Sequence, residues 1–130
     1  MTDPLETLKT SIKALVEVKK YATLRDILST MNSADIASLF EDDMPEEIVP
    51  LLYRLLPKEL AADTFVEMEP DTQQMLITGF SDHELKEVVD ELYVDDAVDL
   101  VEEMPANVVK RILMQADAQK RQMINTILKY

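Results

Sequence analysis

Cysteine is absent from this chain, which excludes disulfides, thiolate zinc sites and cysteine nucleophiles. A single glycine, Gly79, leaves nothing from which to build a P-loop or a GxGxxG phosphate cradle. An EF-hand fails for the same reason, because no Asp-rich loop carries a glycine at its sixth position. His83 is the only histidine, so polyhistidine metal centres are ruled out. It falls in a predicted helix first turn between Asp82 and Glu84, where it reads as a surface residue. Tryptophan is missing, and three Phe with four Tyr make a poor lining for the cleft of a carboxylate-based glycosidase. General-base or nucleophilic catalysis has little to work with, and no enzyme is expected. No apolar run approaches the ~20 residues of a membrane span. The start, Met1-Thr2-Asp3-Pro4-Leu5-Glu6, lacks the basic-then-apolar order of a signal peptide. A soluble, cytoplasmic chain without direct membrane insertion is expected.

What the chain has is carboxylate and aliphatic side chains. Its 130 residues are 47% hydrophobic, enough for one domain over 1–130 with a buried core. The net charge is −13, unevenly spread. Residues 31–104 hold 21 acids against Arg54, Lys58 and Lys86, a net of −18. Residues 105–130 hold Asp117 against five bases from Lys110 to Lys129, a net of +4. The acidic block repels phosphate backbones, so nucleic acid is not expected as a partner. The same block concentrates cations, because its carboxylates sum their fields.

The punctuation repeats about every twelve residues: Met44-Pro45-Glu46-Glu47, Leu56-Pro57-Lys58-Glu59, Glu69-Pro70-Asp71, Ser81-Asp82-His83-Glu84, Val94-Asp95-Asp96, Met104-Pro105-Ala106 and Ala116-Asp117-Ala118. Apolar residues follow each start at a period of 3.6, which disfavours strands. Pro45, Pro57, Pro70 and Pro105 suit first helical positions, and Ser81 with Glu84 reads as a capping box. Asp3-Pro4 opens a helix with the stripe Leu5, Leu8, Ile12, Leu15 and Val16. Helices near 22–31 and 33–43 follow it. Pro50 falls inside the helix begun at Pro45 and predicts a kink or an irregular first turn there. Met44, Met68, Met75, Met104, Met114 and Met123 read as core gap-fillers. Helices this short cannot stand alone in water. The predicted fold is all-α: a right-handed superhelix, or α-solenoid, of about ten short, armadillo-like helices.

Hard cations are the ligands these carboxylates suit, and Mg²⁺ most of all, because it accepts one or two protein oxygens and keeps its waters. Asp95 and Asp99 are four apart and share one helix face, where like charges repel. Glu102 and Glu103 extend that acidic stripe. Asp42-Asp43 with Glu46-Glu47 form a second cluster, and Asp63, Glu67 and Glu69 a third.

The ordered series of short helices resembles the cytosolic N-terminal domain of MgtE-type magnesium transporters. The likeness lies in Asp35-Ile36-Ala37-Ser38-Leu39-Phe40, Leu55-Leu56-Pro57-Lys58-Glu59-Leu60-Ala61-Ala62-Asp63, and Glu91-Leu92-Tyr93-Val94-Asp95-Asp96-Ala97-Val98-Asp99-Leu100. It runs from about residue 5 to the C-terminus. The resemblance implies a Mg²⁺-sensing regulatory domain followed by CBS domains, a connecting helix and a dimeric pore, gated by docking of acidic faces when Mg²⁺ is plentiful. Its metal ligands fall on Asp63, Asp95 and Asp99. Asp63 stands where the family often has Glu, one methylene longer, and Asp96 is a substitute by position rather than by family pattern. An alternative is a helical-repeat adaptor without ion sensing, resembling the armadillo-like part of flagellar motor switch proteins. Its handle would be the basic stretch Lys110 to Lys129.

Overall fold

The computed structural model describes residues 4–128, so Asp3 and Lys129 lie outside the described residues. Among the described residues there are ten α-helices and no strand. In chain order they are α1 (Pro4–Glu17), α2 (Tyr21–Ser29), α3 (Ser33–Ser38), α4 (Val49–Arg54), α5 (Lys58–Glu67), α6 (Pro70–Gly79), α7 (Asp82–Glu91), α8 (Val94–Glu103), α9 (Ala106–Gln115) and α10 (Ala118–Leu128). The all-helical expectation holds. The chain clusters into two compact units, 1–64 and 65–130.

In the first unit α1 packs on α2, with Ile12, Leu24 and Leu28 sealed between them, while Leu5 at the start of the stripe stays exposed. The expected helix over 33–43 ends early. After α3 the chain widens into a π turn over Leu39–Asp43, which buries Leu39 and Phe40 side by side. Ser38 Oγ donates to Asp42 Oδ2 at 3.1 Å, and Lys9 Nζ reaches Asp43 Oδ1 at 2.8 Å, fastening α1 to the turn. The irregular start expected at Pro50 is a 3₁₀ turn, Glu46–Ile48, followed by α4 with Pro50 in its first turn.

From α5 onward the repeat is regular. Helices α5 to α10 start at 58, 70, 82, 94, 106 and 118, a spacing of twelve. Helices α6 to α9 have ten residues each, joined by two-residue links. Helix α7 packs on α9, α6 also meets α9, and α8 packs on α10, so each helix covers the apolar face of others. Phe65, Leu76, Ile77, Leu85, Val89, Ile112 and Ile124 are almost fully buried. Met44, Met68 and Met104 are buried as expected, but Met114 and Met123 are exposed, being on outward faces of α9 and α10.

The helix starts follow two patterns. Pro70 is the first residue of α6, as expected. Pro45 and Pro105 sit one position earlier, with ψ of 138° and 158°. The Pro57 carbonyl likewise precedes its helix and accepts from Ala61 N at 2.8 Å. A proline in extended backbone still supplies the first acceptor, so the helix begins one residue later. Ser81 and Glu84 form the capping box in full, with N···O distances of 2.9 and 3.1 Å.

The helix ends show what a near-absence of glycine demands. No residue after α6, α7, α8 or α9 adopts the left-handed cap. Phe80, Leu92, Met104 and Ala116 instead turn out with ψ of 140–151°. That leaves terminal carbonyls to be satisfied by other groups. Arg111 on α9 donates to the Ile77 and Phe80 carbonyls at the end of α6, and to Asp82 Oδ1 at 3.1 Å. Lys120 on α10 donates to the carbonyls of Val89 (2.8 Å), Asp90 (3.1 Å) and Leu92 (2.8 Å) at the end of α7. Arg121 closes α9 through Leu113 (2.8 Å) and Ala116 (2.9 Å).

Candidate functional site

Helix α8 carries five carboxylates in ten residues, as many as α7. Ala97, Val98, Leu100 and Val101 are buried, so the remaining positions must face outward. Asp95, Asp99, Glu102 and Glu103 are exposed and Asp96 is half-buried. Asp95 and Asp96 lie in the first turn, where the helix dipole favours them, but Glu102 and Glu103 lie in the last turn, where it does not. No base is present in α8. Among the described residues none of its five carboxylates takes a hydrogen bond or ion pair.

Some acids elsewhere have basic partners, whereas others, Asp63 among them, have none among the described residues. Asp43 pairs with Lys9, Asp82 with Arg111, and Asp90 with Lys86 at 3.2 Å. Glu87 lies 2.9 Å from His83, which is exposed on α7 as expected. The α8 carboxylates thus carry uncompensated charge because of what is missing around them.

The predicted ligands are distributed as follows. Asp95 and Asp99 share the exposed face of α8. Asp99 also lines a groove of about 170 Å³ together with Asp96 and Glu103, floored by Met68, Pro70 and Leu100. Asp95 is not on that wall. Asp63 is exposed on α5, within the first compact unit. Among the described residues no three His, Cys, Asp or Glu side chains are grouped to hold a metal ion. The donor set is therefore carboxylate oxygens with open water access, which fits a hydrated hard cation taking one or two protein oxygens. It does not fit a closed cage.

Sequence reasoning missed the clamps made by Arg111, Lys120 and Arg121, reading them only as a basic stretch. Their signal was a combination: hardly any glycine to close the helices, and bases 28–34 residues beyond the carbonyls they cover for Arg111 and Lys120, but only 5–8 for Arg121. Nor does any helix reach the length and apolarity needed to cross a membrane among the described residues.

Comparison with known proteins agrees with this architecture. The structure described as the cytosolic domain of the Mg²⁺ channel MgtE in complex with ATP matches with a TM-score of 0.81 and 23% sequence identity. The match covers 94% of this chain and 50% of that one, so the chain spans half the length of that relative. No curated protein matches the chain. Residues 31–130 match the family model of the MgtE intracellular N domain, a stretch that includes the whole repeat and the acidic face of α8. On that match, the chain belongs to the MgtE intracellular N domain family.

Proposed function

We propose that residues 1–130 form one Mg²⁺-sensing regulatory domain of an MgtE-type magnesium transporter. In this reading Asp63, Asp95 and Asp99 face CBS domains and a connecting helix of the same dimeric protein. The observation that carries the proposal is the family membership joined to the unpaired carboxylates of α8, which lie inside the matched stretch. Asp95 and Asp99 repel each other across one helical turn and repel any acidic surface brought near them. That repulsion supplies an open, undocked state. A bound divalent cation supplies bridging charge between two acidic faces. The equilibrium then follows the ion's preference for the docked arrangement. An incomplete, water-exposed site suits this task, since a sensor must let its ion go at about millimolar free Mg²⁺.

The experiment uses the full transporter. In the parent, Mg²⁺ is expected to protect the domain from proteolysis, and Asp95→Asn/Asp99→Asn is expected to lose that protection and leave the pore less inhibited by Mg²⁺. Glu17→Gln, outside the acidic block, leaves both unchanged. A double variant with the parent's Mg²⁺ dependence contradicts the ligand assignment. A plain adaptor would show no Mg²⁺-dependent protection in the parent itself.

A further inference from the structure

The groove beside α8 offers acceptors and no donor. Its wall carries the carboxylates of Asp96, Asp99 and Glu103, and no basic side chain lines it. Its other side is apolar, with Met68, Pro70, Leu92 and Leu100. All of its lining lies within residues 65–103. A volume of about 170 Å³ suits one side chain rather than a helix.

Gln73 on α6 lines the same groove, yet it is only 8% exposed. Its Nε2 donates to the Phe65 carbonyl at 2.9 Å, which holds the amide in place. Among the described residues no group donates to its Oε1. Only Thr64 Oγ1 is both sealed and unpartnered among them, so Gln73 Oε1 keeps an opening, and the groove is what Gln73 lines. A buried amide oxygen ordinarily has a donor. Four acceptors therefore converge on one small apolar groove with nothing in the chain to serve them.

We propose that this groove takes the guanidinium and methylene stem of an arginine side chain carried by a partner polypeptide. Guanidinium has five N–H donors and no acceptor, the complement of a wall made only of acceptors. It is weakly hydrated and its stem covers apolar surface, which suits Met68, Pro70, Leu92 and Leu100. A hydrated Mg²⁺ presents water on every side and finds no acceptor along that apolar side. The ammonium of lysine is a strongly hydrated point charge and loses more on entry. Free arginine brings an α-carboxylate for which the groove has no donor, and which the acidic face repels. An arginine within a polypeptide brings the guanidinium charge alone. The site shares Asp99 with the Mg²⁺ assignment, but Gln73 and Glu103 take no part in that assignment.

An amide-resolved NMR titration of this chain with acetyl-Gly-Arg-Gly-amide, run without Mg²⁺, tests the proposal. The corresponding lysine peptide, and NaCl at matched ionic strength, are the references. Shifts are expected on the Gln73 side-chain amide and along residues 96–103, with a dissociation constant of about millimolar for so small a ligand. The lysine peptide is expected to bind about threefold more weakly or worse. Asp96→Asn/Glu103→Gln raises the constant for the arginine peptide about fivefold or more, whereas Glu102→Gln, off the groove, leaves it within about twofold. An equal response to both peptides overturns the proposal, since it reports charge alone. So do shifts that NaCl reproduces, a Gln73 amide that does not move, or a double variant that binds like the parent. With Mg²⁺ absent throughout, each of these results leaves the Mg²⁺ reading standing.

Discussion

Arg111 shows how much of this molecule depends on single long side chains. Its guanidinium is half-buried and serves two carbonyls and one carboxylate, so its loss leaves polar groups short of a donor. Arg111→Met is expected to cost about 2 kcal/mol, a typical figure for hydrogen bonds to a charged group, read from the urea midpoint at constant slope. Lys13→Ala, an exposed base on α1, should stay within about 0.5 kcal/mol of the parent. Lys9 makes a different statement. Its hydrogen bonds to Asp43 and Glu6 raise its pKa above the ordinary 10.5. A raised pKa means the stabilisation is complete below 10.5 and fades as pH climbs through the folded value. Lys9→Met should therefore melt below the parent at pH 8, with the difference shrinking above pH 10.5. A gap that stays constant to high pH would assign the loss to packing instead.

At the scale of the element, start signals were the most readable part of the chain. Ser81 with Glu84 could be read as a capping box because its geometry is local to four residues. Ser81→Ala is expected to lose about 1 kcal/mol, measured by thermal or urea unfolding. Gly79 ends α6 without a left-handed φ, and nothing lies within 4 Å of where a Cβ would sit. Gly79→Ala should accordingly stabilise by about 0.5–1 kcal/mol, since helix propensity and unfolded-state entropy act without steric opposition. A loss there would mean that α6 ends with strain its dihedrals do not show. The π turn over Leu39–Asp43 was not legible, because Leu39 and Phe40 are each compatible with ordinary helix and only their joint burial requires the wider turn. The clamps were equally hidden. Arg111 and the Phe80 carbonyl are 31 residues apart, and no local pattern relates them. As for the site, the spacing of Asp95 and Asp99 established a shared face, but acidic pairs four apart occur on many solvated helices. Their selection rested on the family pattern in Val94-Asp95-Asp96-Ala97-Val98-Asp99. The isolation of the five α8 carboxylates from every base became visible only in three dimensions.

For the whole molecule, a net charge of −13 sets two expectations that separate screening from ligation. Any salt should raise the melting temperature somewhat by weakening self-repulsion within 31–104. Specific ligation should go further, and only at particular residues. The most direct measurement is an amide-resolved NMR titration of this chain with MgCl₂ against NaCl at matched ionic strength. Weak Mg²⁺-specific shifts, about millimolar or weaker in affinity, are expected on the α8 amides around Asp95 and Asp99, and Asp95→Asn/Asp99→Asn should abolish them. Shifts that NaCl reproduces over the whole acidic surface would contradict the account. So would micromolar, saturable Mg²⁺ binding to this chain alone, because the site would then be complete without a partner domain.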